Sequence, residues 1–234
     1  MTYCLGISVA EGLVMISDSR TNAGVDQVDT YPKMWSFGQP GRSQYILCSA
    51  GNLATTQAVV TKLQRDVEHG QDNLYSYAHV DEVAGYIGRL SVAQRKSFDG
   101  AGFSSSFLLA GQSTGERPQL YLIYPEGNYI GPTEYSPFLQ IGETKYGKPI
   151  LDRVITPATP LERAALCGLI SMDATMKSNL TVGPPIDVAL YRADGLQPPK
   201  LLRFDAESEY LNRLRHAWND AMSETLDKLP PLPV

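Results

Sequence analysis

The chain has few of the residues from which metal centres and disulfide frameworks are built. Its 234 residues include three cysteines and three histidines. Cys4, Cys48 and Cys167 lie far apart in apolar runs, without metal-ligand spacing. Buried reduced thiols are therefore expected, as in a cytosolic protein. His69, His79 and His216 are scattered along the chain, which argues against a histidine metal site. No metal and no cofactor is expected. No run approaches the ~18 apolar residues of a membrane helix, so no membrane partner is expected. The N-terminus lacks the basic leading segment of a secretory signal, and its apolar run is broken at Glu11-Gly12. Basic residues are slightly outnumbered, giving a net charge of −5, and they form no block. Nucleic acid is thus not an expected partner. The motifs G-x-S-x-G, H-E-x-x-H and G-x-x-x-x-G-K-[ST] are all missing, which argues against a serine-hydrolase elbow, a zincin and a P-loop enzyme.

What is present is an ordinary apolar fraction and enough length for one domain with a large core. Residues 2–10 and 12–20 read as a hairpin, and residues 21–31 as a polar loop. A second strand pair is expected at 32–38 and 43–49. Leu53, Val59, Val60, Leu63 and Val67 then recur on one helical stripe that ends at His69-Gly70. Another helix is expected over 80–96. Strands follow at 106–111 and 119–124, with a short one within 128–135. Ile141-Gly142-Glu143 reads as the opening of a helical stretch to Val154. A further helix over 161–176 contains Ala164, Ala165, Cys167 and Gly168, small enough for close packing. The last strands are expected at 186–192 and 201–204. Residues 207–227 form an amphipathic helix with Leu211, Leu214, Trp218, Met222 and Leu226 on one face. A Pro-rich tail follows. This order lacks the strict alternation of a doubly wound parallel sheet. It predicts two packed antiparallel sheets with helices outside each, a four-layer α-β-β-α sandwich of the α+β type. No repeat or linker divides the chain, so residues 1–234 are read as one domain with a C-terminal helical extension from about 205.

The first thirty-three residues carry the chemistry. Thr2 follows Met1 directly, and methionine aminopeptidases remove Met before a small residue. Thr2 would then bear both a hydroxyl and a free α-amine. An α-amine titrates near ~7.7–8.0, so near neutrality it can act as base for the hydroxyl of its own residue. The hairpin returns Asp18 to the side of Thr2, and Lys33 follows on the next strand. Alone, Asp18 reads equally as a turn carboxylate and Lys33 as a surface cation. If both are buried they must pair, because an unpaired buried charge is costly.

Thr2, the segment Ser17-Asp18-Ser19-Arg20-Thr21-Asn22-Ala23-Gly24 and Lys33 resemble the start of a proteasome β-type subunit. Over nearly its whole length the chain is similar to the bacterial branch called Anbu, whose members begin Met-Thr-Tyr-Cys. The resemblance implies the Ntn-hydrolase sandwich, with Thr2 as nucleophile, Lys33 stabilising its alkoxide and Asp18 orienting Lys33. It implies that the Gly51 N–H serves the oxyanion and that Thr21, Asn22 and Ala50 line the substrate. The later positions depart from the pattern. Glu143 stands where a supporting serine is expected, and Asp173 and Ser178 match the remaining support positions only loosely.

Three functions stay open at this point. The first is a threonine peptidase cutting peptides or proteins through an acyl-enzyme. The second is another Ntn amidohydrolase acting on a small amide. The third is a silent assembly subunit. The resemblance implies a homo-oligomer located in the cytoplasm, and it specifies no unfoldase partner.

Overall fold

The computed structural model describes residues 1–22, 28–70, 72–97, 101–193 and 195–233. Strands β1 (Tyr3–Val9) and β2 (Gly12–Asp18) form the N-terminal hairpin, pairing Val9 with Gly12 and Cys4 with Ser17. A short ribbon follows, β3 (Arg20–Asn22) with β4 (Val28–Thr30), inside the stretch expected to be loop. The next pair is β5 (Met34–Gln39) and β6 (Ser43–Gly51). Helices α1 (Leu53–His69) and α2 (Val80–Lys96) come next, then β7 (Ser105–Ser113), β8 (Gln119–Ile123) and β9 (Tyr129–Ile130). After β10 (Phe138–Gly142) come α3 (Lys148–Val154) and α4 (Leu161–Ser178). The chain ends in β11 (Ile186–Arg192), β12 (Lys200–Phe204) and α5 (Glu209–Asp227).

The strands build two five-stranded antiparallel sheets, ordered β10-β1-β2-β11-β12 and β5-β6-β7-β8-β9. Period-two alternation divides each strand between two apolar layers. In β1, Tyr3, Leu5 and Ile7 face α3 and α4, where they meet Leu151, Ala164, Leu169 and Met172. Cys4 faces the other way, into a layer between the sheets shared with Leu13, Met15, Ile46, Cys48 and Leu108. A third layer holds Tyr45, Leu47 and Phe107 against Val59 and Leu63 of α1 and Val83 and Ile87 of α2. Both faces of both sheets are covered, so the central strands read as continuous apolar runs. Gly168 lets α4 approach closely, since a Cβ there would fall 2.6 Å from Ile16 Cδ1. The result is the four-layer α-β-β-α sandwich expected from the element order.

One expectation is corrected. Ile141 and Gly142 do not open a helix; they end β10, which pairs with β1 through Tyr3↔Gly142, Leu5↔Gln140 and Ile7↔Phe138. Within β10, Phe138 packs on the helical side and Ile141 between the sheets, as a strand requires. The helix starts only at Lys148, with Pro149 in its first turn, where a missing N–H costs nothing. Among the described residues, no helix is long and apolar enough to cross a membrane.

Candidate active site

The site forms where β1 begins, β2 ends and β6 runs into α1. Even-numbered β1 residues face the layer between the sheets, and Thr2 continues that series into a cleft beside Lys33. The Thr2 carbonyl accepts a hydrogen bond from the Glu143 N–H at 2.7 Å, which fixes the start of β1 against the end of β10. Asp18 is fully buried and saturated with donors. Its Oδ1 accepts from the Tyr3 N–H at 3.0 Å and from Lys33 Nζ at 2.9 Å, and its Oδ2 accepts from the Gly183 N–H at 3.2 Å. Lys33 is 5% exposed and donates a second bond to the Arg20 carbonyl at 2.6 Å. Its own carbonyl accepts from the Ser49 N–H, which ties it to β6. Burial pushes the Asp18 carboxyl up from its ordinary value, while Lys33 and the two backbone donors oppose the rise.

A cavity of about 180 Å³ brings Thr2, Thr21, Lys33, Ala50 and Gly51 together, with Met1 at its wall and Leu53 and Thr56 of α1 closing another side. Gly51 has φ +116°, and a Cβ there would lie 2.4 Å from the Ser104 carbonyl oxygen. No other residue fits that turn without strain. Asn52 follows as the cap of α1, its side chain accepting from the Thr55 N–H at 3.1 Å. Thr21 Oγ1 is buried and finds no hydrogen-bond partner among the described residues. The Asn22 side chain, Ala23 and Gly24 lie outside the described residues.

The remaining candidates divide. Glu143 is 8% exposed and adjoins Thr2 through the backbone bond above. Its Oε2 accepts from Asn179 Nδ2 at 3.2 Å. Asp173 and Ser178 lie apart from that cavity. The Asp173 carboxylate is taken by Arg215 of α5 at 2.7 Å, so it ties two helices together, and neither residue lines the cavity. Ser178 is exposed at the end of α4.

Gly183 and Asn179 were missed in the sequence. The Gly183 N–H holds Asp18, its carbonyl accepts from Ser19 and Arg20, and its missing Cβ leaves room for the Arg20 guanidinium. The Gly183-Pro184-Pro185 punctuation signals a turn, yet it says nothing of a partner 165 residues earlier. At the N-terminus, burial and Lys33 pull the Met1 α-amine down from its ordinary value, against Asp18 and Glu143, which pull it up. With Met1 attached, the Thr2 nitrogen is a peptide nitrogen and cannot act as a base.

A family model described as "Proteasome subunit" matches residues 2–190. Among solved structures, the chain is similar to Anbu (ancestral beta-subunit) from Yersinia bercovieri, at 42% identity and TM-score 0.95, covering 99% of each chain. It is similar to the Anbu (Gly-1) mutant from Hyphomicrobium sp. strain MC1, at 41% identity and TM-score 0.95 over 100% of both chains. A third similar structure is the helical assembly of the Anbu complex from Pseudomonas aeruginosa, at 40% identity and TM-score 0.94, covering 99% of this chain and 98% of that one. Comparison with curated protein sequences finds no match.

Proposed function

This chain belongs to the proteasome subunit family, in its Anbu branch, and from that premise we propose that it is a self-assembling N-terminal-threonine peptidase. The observation that carries the reading is the single cavity shared by Thr2, Lys33 and Gly51, backed by the buried Lys33–Asp18 pair. Removal of Met1 frees the Thr2 α-amine. That amine takes the proton of Thr2 Oγ1 as the oxygen attacks the substrate carbonyl carbon. The charge developing on the carbonyl oxygen is stabilised by the Gly51 N–H, and Lys33, held in place by Asp18, stabilises the charge on Oγ1. The C–N bond then breaks, and the departing amine takes the proton from the α-ammonium. Water completes the cycle: the α-amine takes a proton from it as its oxygen attacks the carbonyl carbon of the ester on Thr2, the C–Oγ1 bond breaks, and the α-ammonium returns the proton to Oγ1 as the acid leaves.

Self-assembly is supported by the apolar residues left uncovered on α5 and by the helical assembly described for the Pseudomonas aeruginosa protein. The test is intact-mass analysis followed by a threonine-directed electrophile. Loss of Met1 and one adduct on Thr2 are expected, together with peptide cleavage that Thr2→Ala abolishes while the fold persists. Thr2→Ser should keep part of the activity, since hydroxyl and amine both remain. Cleavage by a fully processed Thr2→Ala protein would end the threonine reading. A peptide library then separates a peptidase from an amidohydrolase restricted to one small amide.

A further inference from the structure

We infer that Glu143 is the counter-ion of the Thr2 α-ammonium, a charge that reaches its position only when Met1 leaves. The inference rests on the N-terminal-threonine reading above and assigns a positioning residue to that site. It begins from the buried carboxylates. Asp18 is paired with Lys33, and Asp66 with Lys62 and the Tyr86 hydroxyl. Glu143 is also buried, at 8% exposed, yet among the described residues it has no cation within ion-pair distance. Among those residues, its side-chain hydrogen bond comes from Asn179. That donor is neutral and fixed in orientation, because Asn179 Oδ1 is already occupied by the N–H and hydroxyl of Thr181 at 3.0 and 2.6 Å. A buried carboxylate without a cation is costly, so the site with Met1 in place lacks one positive charge.

The strand register shows where that charge arrives. Tyr3 stands opposite Gly142, and the bond from the Glu143 N–H to the Thr2 carbonyl carries the pairing one step further. Thr2 and Glu143 thus adjoin just outside the ends of β1 and β10, held together by that backbone bond at 2.7 Å. In the unprocessed chain the ammonium sits on Met1, which is 63% exposed. Processing moves it inward by one residue, about 3.4 Å along the strand. The charged groups that act on the terminal amine are Lys33 ahead of β5, Asp18 at the end of β2 and Glu143 after β10. Lys33 opposes protonation, and Asp18 is already committed to Lys33. Glu143 is left to hold the ammonium in place and to set how readily it gives up its proton.

The test reads the amine and not turnover. Thr2-initial protein, with Met1 loss verified by intact mass, is labelled competitively with 1-fluoro-2,4-dinitrobenzene across pH, and the N-terminal peptide is quantified by mass spectrometry. Removing the carboxylate charge makes the ammonium less favourable, so Glu143→Gln should lower the labelling midpoint by about one pH unit. Glu143→Asp should restore most of the wild-type midpoint, which a purely structural role would not predict. An unchanged midpoint in a folded Glu143→Gln protein overturns the assignment. A wild-type measurement guards against a variant that fails to fold. In wild-type protein the labelling midpoint of the Thr2 amine should stand above that of the Met1-bearing chain, whose amine burial and Lys33 pull down. Equal midpoints would also overturn the assignment. If the electrophile fails to modify Thr2 while the midpoint still shifts, the peptidase reading falls and the counter-ion stands. If Thr2 is modified while the midpoint stays put, the counter-ion falls and the peptidase stands.

Discussion

Asp18 accepts three hydrogen bonds without any contact with water, and only Lys33 among its donors carries charge. Lys33→Ala therefore strands a buried carboxylate, at a cost of about 3–5 kcal/mol in folding free energy at neutral pH. Burial already raises the Asp18 carboxyl, and loss of Lys33 raises it further. A raised carboxyl keeps its proton in the folded chain at a pH where the unfolded chain, titrating near ~3.9, has released it. The variant's stability thus falls as pH climbs from ~3.9 toward the folded value and is flat above it. Denaturant unfolding at several pH values should show the deficit shrinking on acidification, and a pH-independent deficit would contradict this. Activity should vanish as completely as in Thr2→Ala, with no further loss in the double variant, because groups acting as a unit are non-additive. Lys33→Arg should also fail, since a planar guanidinium cannot take the place of an ammonium that reaches both Asp18 and the Arg20 carbonyl in a buried space.

The turn from β6 into α1 joins stability to the site. Asn52 caps the helix directly after Gly51, and it also donates from Nδ2 to the Gly102 carbonyl. Asn52→Ala should cost ~1 kcal/mol, or a melting shift of ~2–4 °C for a chain of this size. Because Gly51 precedes the cap, catalytic efficiency should fall along with melting temperature, and a stability loss without any kinetic change would separate cap from site. This is also the scale at which legibility in the sequence varies. Helices α1 and α2 were legible because their apolar stripes repeat locally; the grouping of Thr2, Asp18, Lys33 and Gly51 could be anticipated because all four fall within the first fifty-one residues, which the structure brings together. Strand β10 was not: its five residues gain their strand character from pairing with β1 some 135 residues earlier. Gly183 and Asn179 reach the site the same way. The β2–β11 pairing, which sets Ile186 opposite Asp18, carries the preceding segment to the end of the sheet where Asp18 lies, and no local pattern announces it.

At the scale of the whole molecule, α5 divides into two parts. Leu211 and Leu214 pack on the helical core, and Arg215 anchors the helix to α4 through Asp173. Beyond them the apolar stripe is open, with Met222 41% and Leu226 68% exposed, and the tail after the helix adds Leu229 at 55% and Leu232 at 81%. The same side of the molecule holds an apolar groove of about 400 Å³ between α3, α4 and α5, lined by Val154, Leu166, Leu214 and Trp218. No residue of α5 is fully buried, so removing this helix costs the sandwich only the partly buried packing of Leu211 and Leu214. Covering the open stripe against a second copy would contribute ~1.5–3 kcal/mol per large side chain, a term that exists only in an assembly. Deleting residues 205–234 should therefore weaken association more than it unfolds the subunit. Analytical ultracentrifugation should show smaller particles while circular dichroism retains the sandwich. A particle of undiminished size would place the contacts elsewhere, and an aggregated, molten chain would show that Leu211 and Leu214 matter more to the subunit than the open stripe does to its neighbours.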